Sequence, residues 1–124
     1  MNKWDLVLIS FLFTDLHATK VRPAIVISPD SYHQSGQDAV FILITSNTDR
    51  QSAHDILVST SHPEFSQTGL RKESTVRVSK IVTLSKSLVV QKLGSLGPQL
   101  SLVVEKELRE FLELPPYQPL LESQ

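Results

Sequence analysis

The sequence predicts a mainly β domain, a small and strongly bent sheet or partly closed barrel finished by one C-terminal helix. The chain is rich in Val, Ile, Leu, Ser and Thr, with seven Pro and only four Gly, and β-branched side chains suit a pleated surface. Its apolar residues fall into short runs of strand length separated by turn residues. Only near the end do they recur at three- and four-residue steps, as in an amphipathic helix. At 124 residues there is room for one core. A content of 40% hydrophobic and 20% charged residues excludes disordered, collagen-like and coiled-coil classes.

Residues 4–13 (WDLVLISFLF) are an apolar run bounded by Thr14 and Asp15, and form the first strand. Residues 15–20 are small or polar and form a loop. The second strand spans 22–28, with Pro23 at its start because proline donates no ladder hydrogen bond. Turn chemistry fills 29–37, with Gly36. The run AVFILITS at 39–46 is a third, deeply buried strand, and 56–60 is a short fourth. After a connection over 61–70, containing Pro63 and Gly69, residues 74–84 alternate Thr75, Arg77 and Ser79 with Val76 and Val78. That pattern marks a half-exposed fifth strand, with 88–96 expected to pair beside it.

Gly97 and Pro98 punctuate next, and proline suits a first helical turn. Leu100, Val103, Val104, Leu108, Phe111 and Leu112 then line one face of a helix that ends before Pro115. The expected organisation is one domain over 1–114 and an extended tail over 115–124.

Cysteine is absent, which excludes disulfides, thiolate nucleophiles, zinc ribbons and iron–sulfur clusters. No signal-peptide layout opens the chain, and no apolar run approaches the ~20 residues that span a bilayer. A cytoplasmic location without membrane association is therefore expected. A net charge of -1 argues against indiscriminate polyanion binding. The charges are uneven, however: Arg71, Lys72, Arg77, Lys80, Lys86 and Lys92 face only Glu73 across 71–92, while Glu dominates 105–124. A basic middle is compatible with a local nucleic-acid footprint.

Glycine-rich phosphate loops, paired helical histidines and nucleophile elbows are missing. His54 with Asp55, and His62, have no matching ligand cluster, so neither metal nor cofactor is expected. Glu105, Glu107, Glu110 and Glu113 lie on the polar side of one helix, which does not suit paired glycosidase carboxylates. Trp4, Phe11 and Phe13 read either as core or as platforms for bases. What remains is Arg22 at the mouth of strand two, Thr45 and Ser46 at the end of strand three, and Arg77, Ser79 and Lys80 on strand five. Guanidiniums and hydroxyls converging at strand ends can hold a phosphodiester and stabilise its pentacoordinate transition state.

Four segments in order carry a resemblance: Trp4 to Leu8 with Phe11 to Asp15, then Arg22 to Ser28, then Ile42 to Ser46, then Val76 to Leu84. They resemble the MazF/PemK toxin family of type II toxin-antitoxin systems over about residues 3–112. The resemblance implies an SH3-like small barrel of the CcdB/PemK type with a C-terminal helix, a homodimer, and metal-independent endoribonuclease cleavage of single-stranded RNA. It also implies inhibition by a cognate antitoxin protein, with DNA contacted only indirectly through that antitoxin.

By the same resemblance Arg22 serves proton transfer and phosphate stabilisation, Thr45 contacts the scissile phosphate, and Arg77 is the general acid. Lys20, Ser46, Lys80 and His17 complete the RNA-binding set. Family members often have Asp where this chain has Ser79, Glu where it has His17, and Gly where it has Trp4. Cleavage needs a base for the ribose 2′-hydroxyl, and the His17 imidazole, which titrates near neutral pH, is one source. Two other readings stay open: a CcdB-like gyrase-poisoning protein, and a catalytically silent SH3-like interaction module.

Overall fold

The computed structural model describes residues 1–11 and 20–115. Six strands make one antiparallel sheet: β1 (Asp5–Phe11), β2 (Lys20–Val26), β3 (Asp38–Thr45), β4 (Asp55–Val58), β5 (Ser74–Ser85) and β6 (Val89–Ser95). Two short helices, α1 (Asp30–Ser35) and α2 (Phe65–Thr68), precede the terminal α3 (Pro98–Phe111). The strand order is β4-β5-β3-β2-β1-β6, so β4 and β6 are edges and the sheet does not close. The mainly β class with a C-terminal helix holds, as a bent open sheet.

Strand alternation sorts the core into two clusters on opposite faces. One face carries Leu6, Ile25, Ile42, Ile44, Val58, Val76 and Val78, and α3 lays Leu100 and Val104 on it. The other carries Val7, Ile9, Ala24, Val26, Ala39 and Phe41, all at most 2% exposed. Its described partly buried neighbours are Met1 and the sheet residues Leu43, Val82, Leu84 and Val89. No described helix covers this second cluster, so the sheet curves around its own side chains. The curvature is set in the long β5, where the register with β3 slips between Ile42↔Ile81 and Leu43↔Arg77. Such a bulge bends and twists a strand.

Pro23 is the fourth residue of β2 rather than near its start. It is tolerated there because it faces Leu8 of β1 at a point where the β3 ladder, which begins at Ala24, has ended. β6 pairs with β1 instead of β5. A 3-10 turn at Lys86–Leu88 redirects the chain, and β6 then sets Val89 opposite Ile9, against the second cluster.

The expected turn at 29–37 contains α1, and the connection at 61–70 contains α2. α1 is anchored by its buried His33, whose Nε2 lies 2.6 Å from Ser28 Oγ and whose Nδ1 lies 2.9 Å from the Met1 carbonyl oxygen. α2 docks on β6 through two glycines. A Cβ on Gly69, at φ 74, would stand 2.2 Å from the Leu93 carbonyl oxygen, and one on Gly94 2.2 Å from that of Gln67. Trp4 packs against the first cluster, which settles it as core. Phe11 is half-buried at the end of β1, while Phe13 and the tail beyond Pro115 lie outside the described residues.

α3 begins with Gly97 and Pro98 and has no side-chain cap from its own segment. The buried Glu64 provides one from a distance: Oε2 accepts from the Gln99 N–H at 3.0 Å and Oε1 from the Leu100 N–H at 2.8 Å. A carboxylate at a helix N-terminus satisfies orphan donors and complements the dipole.

Candidate functional site

The C-terminal ends of β1, β3 and β4 and the N-terminal ends of β2, β5 and β6 meet at one end of the sheet. Thr45 pairs directly with Thr75, and Leu43 with Arg77. Leu43 also pairs with Ala24, so continuing that register by two residues sets Arg22 beside Thr45. By alternation Lys20, Arg22, Thr45, Thr75 and Arg77 share the face opposite α3. Directly opposed residues have Cβ atoms about 4.5–5.5 Å apart and diagonal ones about 7–8 Å. Thr45 therefore shares one face and one end of the sheet with both arginines.

Each member of this row has a definite setting. Arg22 and Lys20 are exposed, and their side chains make no hydrogen bond or ion pair among the described residues. Thr45 is half-buried, and its Oγ1 accepts the Asn47 N–H at 3.1 Å, which leaves the hydroxyl proton to be donated. Thr75 is fully buried and accepts from Gln51 Nε2 at 2.8 Å, which ties the loop after β3 to β5.

Arg77 is held by Asp55 across the β4–β5 pair, Nη1 to Oδ2 at 3.2 Å. The Asp55 side chain is 2% exposed and that of Arg77 27%. Oδ2 also accepts the Ser52 N–H at 2.8 Å, so the carboxylate is fixed by both backbone and side chain.

The remaining expected site residues fall around this row. Ser46 follows Thr45 on the opposite side of the strand end, where it lines a cleft with Leu8, Pro23, Leu93, Arg71 and Lys72. Lys80 is exposed in the β5 bulge and is tied by no contact to the Arg22–Thr45 row. His17 lies outside the described residues. Nor does the basic segment 71–92 form a single surface. Lys86 is engaged with the His33 carbonyl near α1, Lys92 pairs with Asp5 at 3.5 Å, and Arg77 faces Asp55. Besides Arg77 itself, Arg71 and Lys72 are the members of that run that lie beside the row's strand ends, lining the cleft with Pro23 and Ser46.

Asp55 was reachable from sequence only as a possible metal ligand beside His54. Its function as the partner of Arg77 depends on a strand register that spacing does not reveal. The two histidines are engaged separately: His54 Nδ1 lies 3.4 Å from Glu107 Oε2 with its ring edge-on to Phe111, and His62 Nδ1 accepts the Glu64 N–H at 3.0 Å. Among the described residues no group of three His, Asp or Glu is placed to hold a metal ion. No described helix is long and apolar enough to cross a membrane.

Residues 2–112 match the family model for PemK-like, MazF-like toxins of type II toxin-antitoxin systems. The chain belongs to that family. Solved structures share the toxin's fold at low identity. A mycobacterial endoribonuclease in complex with its cognate antitoxin is 20% identical with a TM-score of 0.71, covering 94% of this chain and 99% of that one. MazF in a MazE–MazF complex from Deinococcus radiodurans is 19% identical with a TM-score of 0.72, over 93% and 98% of the two chains. The Mycobacterium tuberculosis toxin MazF-mt6 is 17% identical with a TM-score of 0.68, over 89% and 98%. No curated protein matches this MazF-like toxin by sequence.

Proposed function

We propose that this toxin is an endoribonuclease that cleaves single-stranded RNA without a metal ion, by attack of a ribose 2′-hydroxyl on the adjacent phosphorus. One observation carries the reading. Strand alternation and the β3–β5 register support it: Arg22, Thr45 and Arg77, two cations and a hydroxyl donor, fall on one face toward one end of the sheet. The 2′-oxygen loses its proton to a base, for which His17 is the assignment. The O2′–P bond forms, the P–O5′ bond breaks, and the departing 5′-oxygen takes a proton, leaving a 2′,3′-cyclic phosphate and a 5′-hydroxyl.

Arg22 and the Thr45 hydroxyl stabilise the charge that builds on the non-bridging oxygens. Arg77, aimed by Asp55, serves the leaving oxygen. A 2′-hydroxyl is required, so RNA and not DNA is the substrate. The cellular inhibitor is a cognate antitoxin that covers this end of the sheet, and DNA is engaged only through that partner.

The test is incubation of the purified chain with labelled single-stranded RNA in EDTA. Cleavage with cyclic-phosphate ends, abolished by a single 2′-deoxy substitution at the cut position, is the expected result. Intact RNA under all conditions would replace this reading with that of a silent interaction module.

A further inference from the structure

The strand end that carries the Arg22–Thr45 row has a second side, and no part of the mechanism above uses it. Pro23 and Ser46, the residues immediately after Arg22 and Thr45, both line a cleft of about 410 Å³ on the α3-covered face. Sites for small organic groups run from about 300 to 1,000 Å³. Leu8, Pro23 and Leu93 supply aliphatic lining, and Arg71 and Lys72 stand with it.

Those two cations are preset. Gly69, at φ 74 and with no space for a Cβ, makes the sharp exit from α2. Thr68 Oγ1 then accepts the Leu70 N–H at 3.1 Å, and Ser74 Oγ donates to the Lys72 carbonyl at 2.9 Å. The backbone is thus pinned on both sides of Arg71 and Lys72, while their exposed side chains make no ion pair or hydrogen bond among the described residues. Among the described residues, the side chains of Lys20 and Arg22 are likewise cations of this sheet end without a hydrogen bond or ion pair.

We infer that this cleft seats the nucleotide next to the scissile phosphate, and that Arg71 and Lys72 hold the phosphate beyond it. The inference rests on the RNA-cleavage reading. An RNA strand crossing the sheet end from the Arg22–Thr45 row enters the cleft within one residue of both groups, and its regularly spaced phosphates match cations on either side. Among the described residues the apolar lining is aliphatic, with Leu8, Val21, Pro23, Leu70 and Leu93, and such side chains hold a base by apolar packing. An acidic peptide with an apolar anchor is the other occupant such chemistry could take, but it gives no reason for the cleft to open beside Arg22 and Thr45.

The test compares the wild-type toxin with the double variant Arg71→Ala/Lys72→Ala on an oligoribonucleotide that spans the mapped cut site. Steady-state cleavage gives KM and kcat, and anisotropy with a 2′-deoxy version that cannot be cut gives affinity against salt. The expected result is a KM raised about tenfold, with a log–log salt dependence shallower by about 0.7, since one single-strand phosphate contact contributes about that much to the slope. A variant with wild-type KM and salt slope overturns the inference. So does a variant that loses affinity for the antitoxin while binding RNA normally, which would give the cleft to the protein partner. A wild-type chain that cleaves no RNA at all defeats the functional reading instead, and is recognised before the variants are compared.

Discussion

Arg22 and Asp55 are opposite kinds of site residue. The Arg22 side chain is exposed and has no partner among the described residues, so truncation should change stability by no more than about 0.5 kcal/mol. Cleavage should fall about 10²-fold or more, the usual loss when one transition-state charge contact is removed. Arg22→Ala that melts with the wild type yet cuts RNA at the wild-type rate would take Arg22 out of the site. The Asp55 side chain is buried and has two partners, and in the proposed mechanism it acts only by aiming Arg77. Asp55→Ala should cost about 1–3 kcal/mol, less than a fully buried ion pair because Arg77 is 27% exposed.

Its kcat should drop while KM stays near wild type, and Asp55→Glu should recover part of the loss. A kcat unchanged in a folded Asp55→Ala variant would show that Arg77 needs no such aim. Arg22, Thr45 and Arg77 could be singled out as candidates in the sequence because each belongs to a contiguous segment with its own pattern. Asp55 could not, because its meaning lies in pairing with a strand almost twenty residues away.

At the scale of elements, periodicity located all six strands and the long helix, since each buries a face and shows it in the spacing of its apolar residues. α1 and α2, at six and four residues, are too short to display a helical period. The β5 bulge and the pairing of β6 with β1 depend on which faces meet in three dimensions. α3 shows how far an element can depend on a remote residue. Its first N–H groups are satisfied by Glu64, thirty-odd residues earlier in the chain.

Glu64→Ala would leave those donors buried without an acceptor and should destabilise the fold by about 1–3 kcal/mol. Urea unfolding is the measurement. A midpoint equal to that of the wild type would mean that the helix end finds another partner. Gly97 is coupled to this cap, because a Cβ there would stand 2.4 Å from the Glu64 side-chain carbon Cδ.

For the molecule as a whole, one chain leaves its sheet open and part of its apolar surface uncovered. Among the described residues β4 and β6 are the edges of the sheet. Leu57, Val90 and Val21, on β4, β6 and β2, are 47%, 58% and 51% exposed. An unpaired edge with apolar side chains invites a second chain. A protein of this size also presents too small a concave surface to enclose several nucleotides alone.

A two-fold pairing solves both problems, because an isologous interface covers the same patch on each copy and sets two strand ends side by side across one groove. Such an interface would have to bury about 1,600 Å² in total to be stable, which requires more than the three residues named and draws on the neighbouring strand ends. Light scattering at micromolar concentration should therefore report about twice the chain mass of 13.9 kDa. A particle of single-chain mass across that concentration range would overturn the two-fold pairing and leave these strand edges and apolar side chains facing solvent in the free protein.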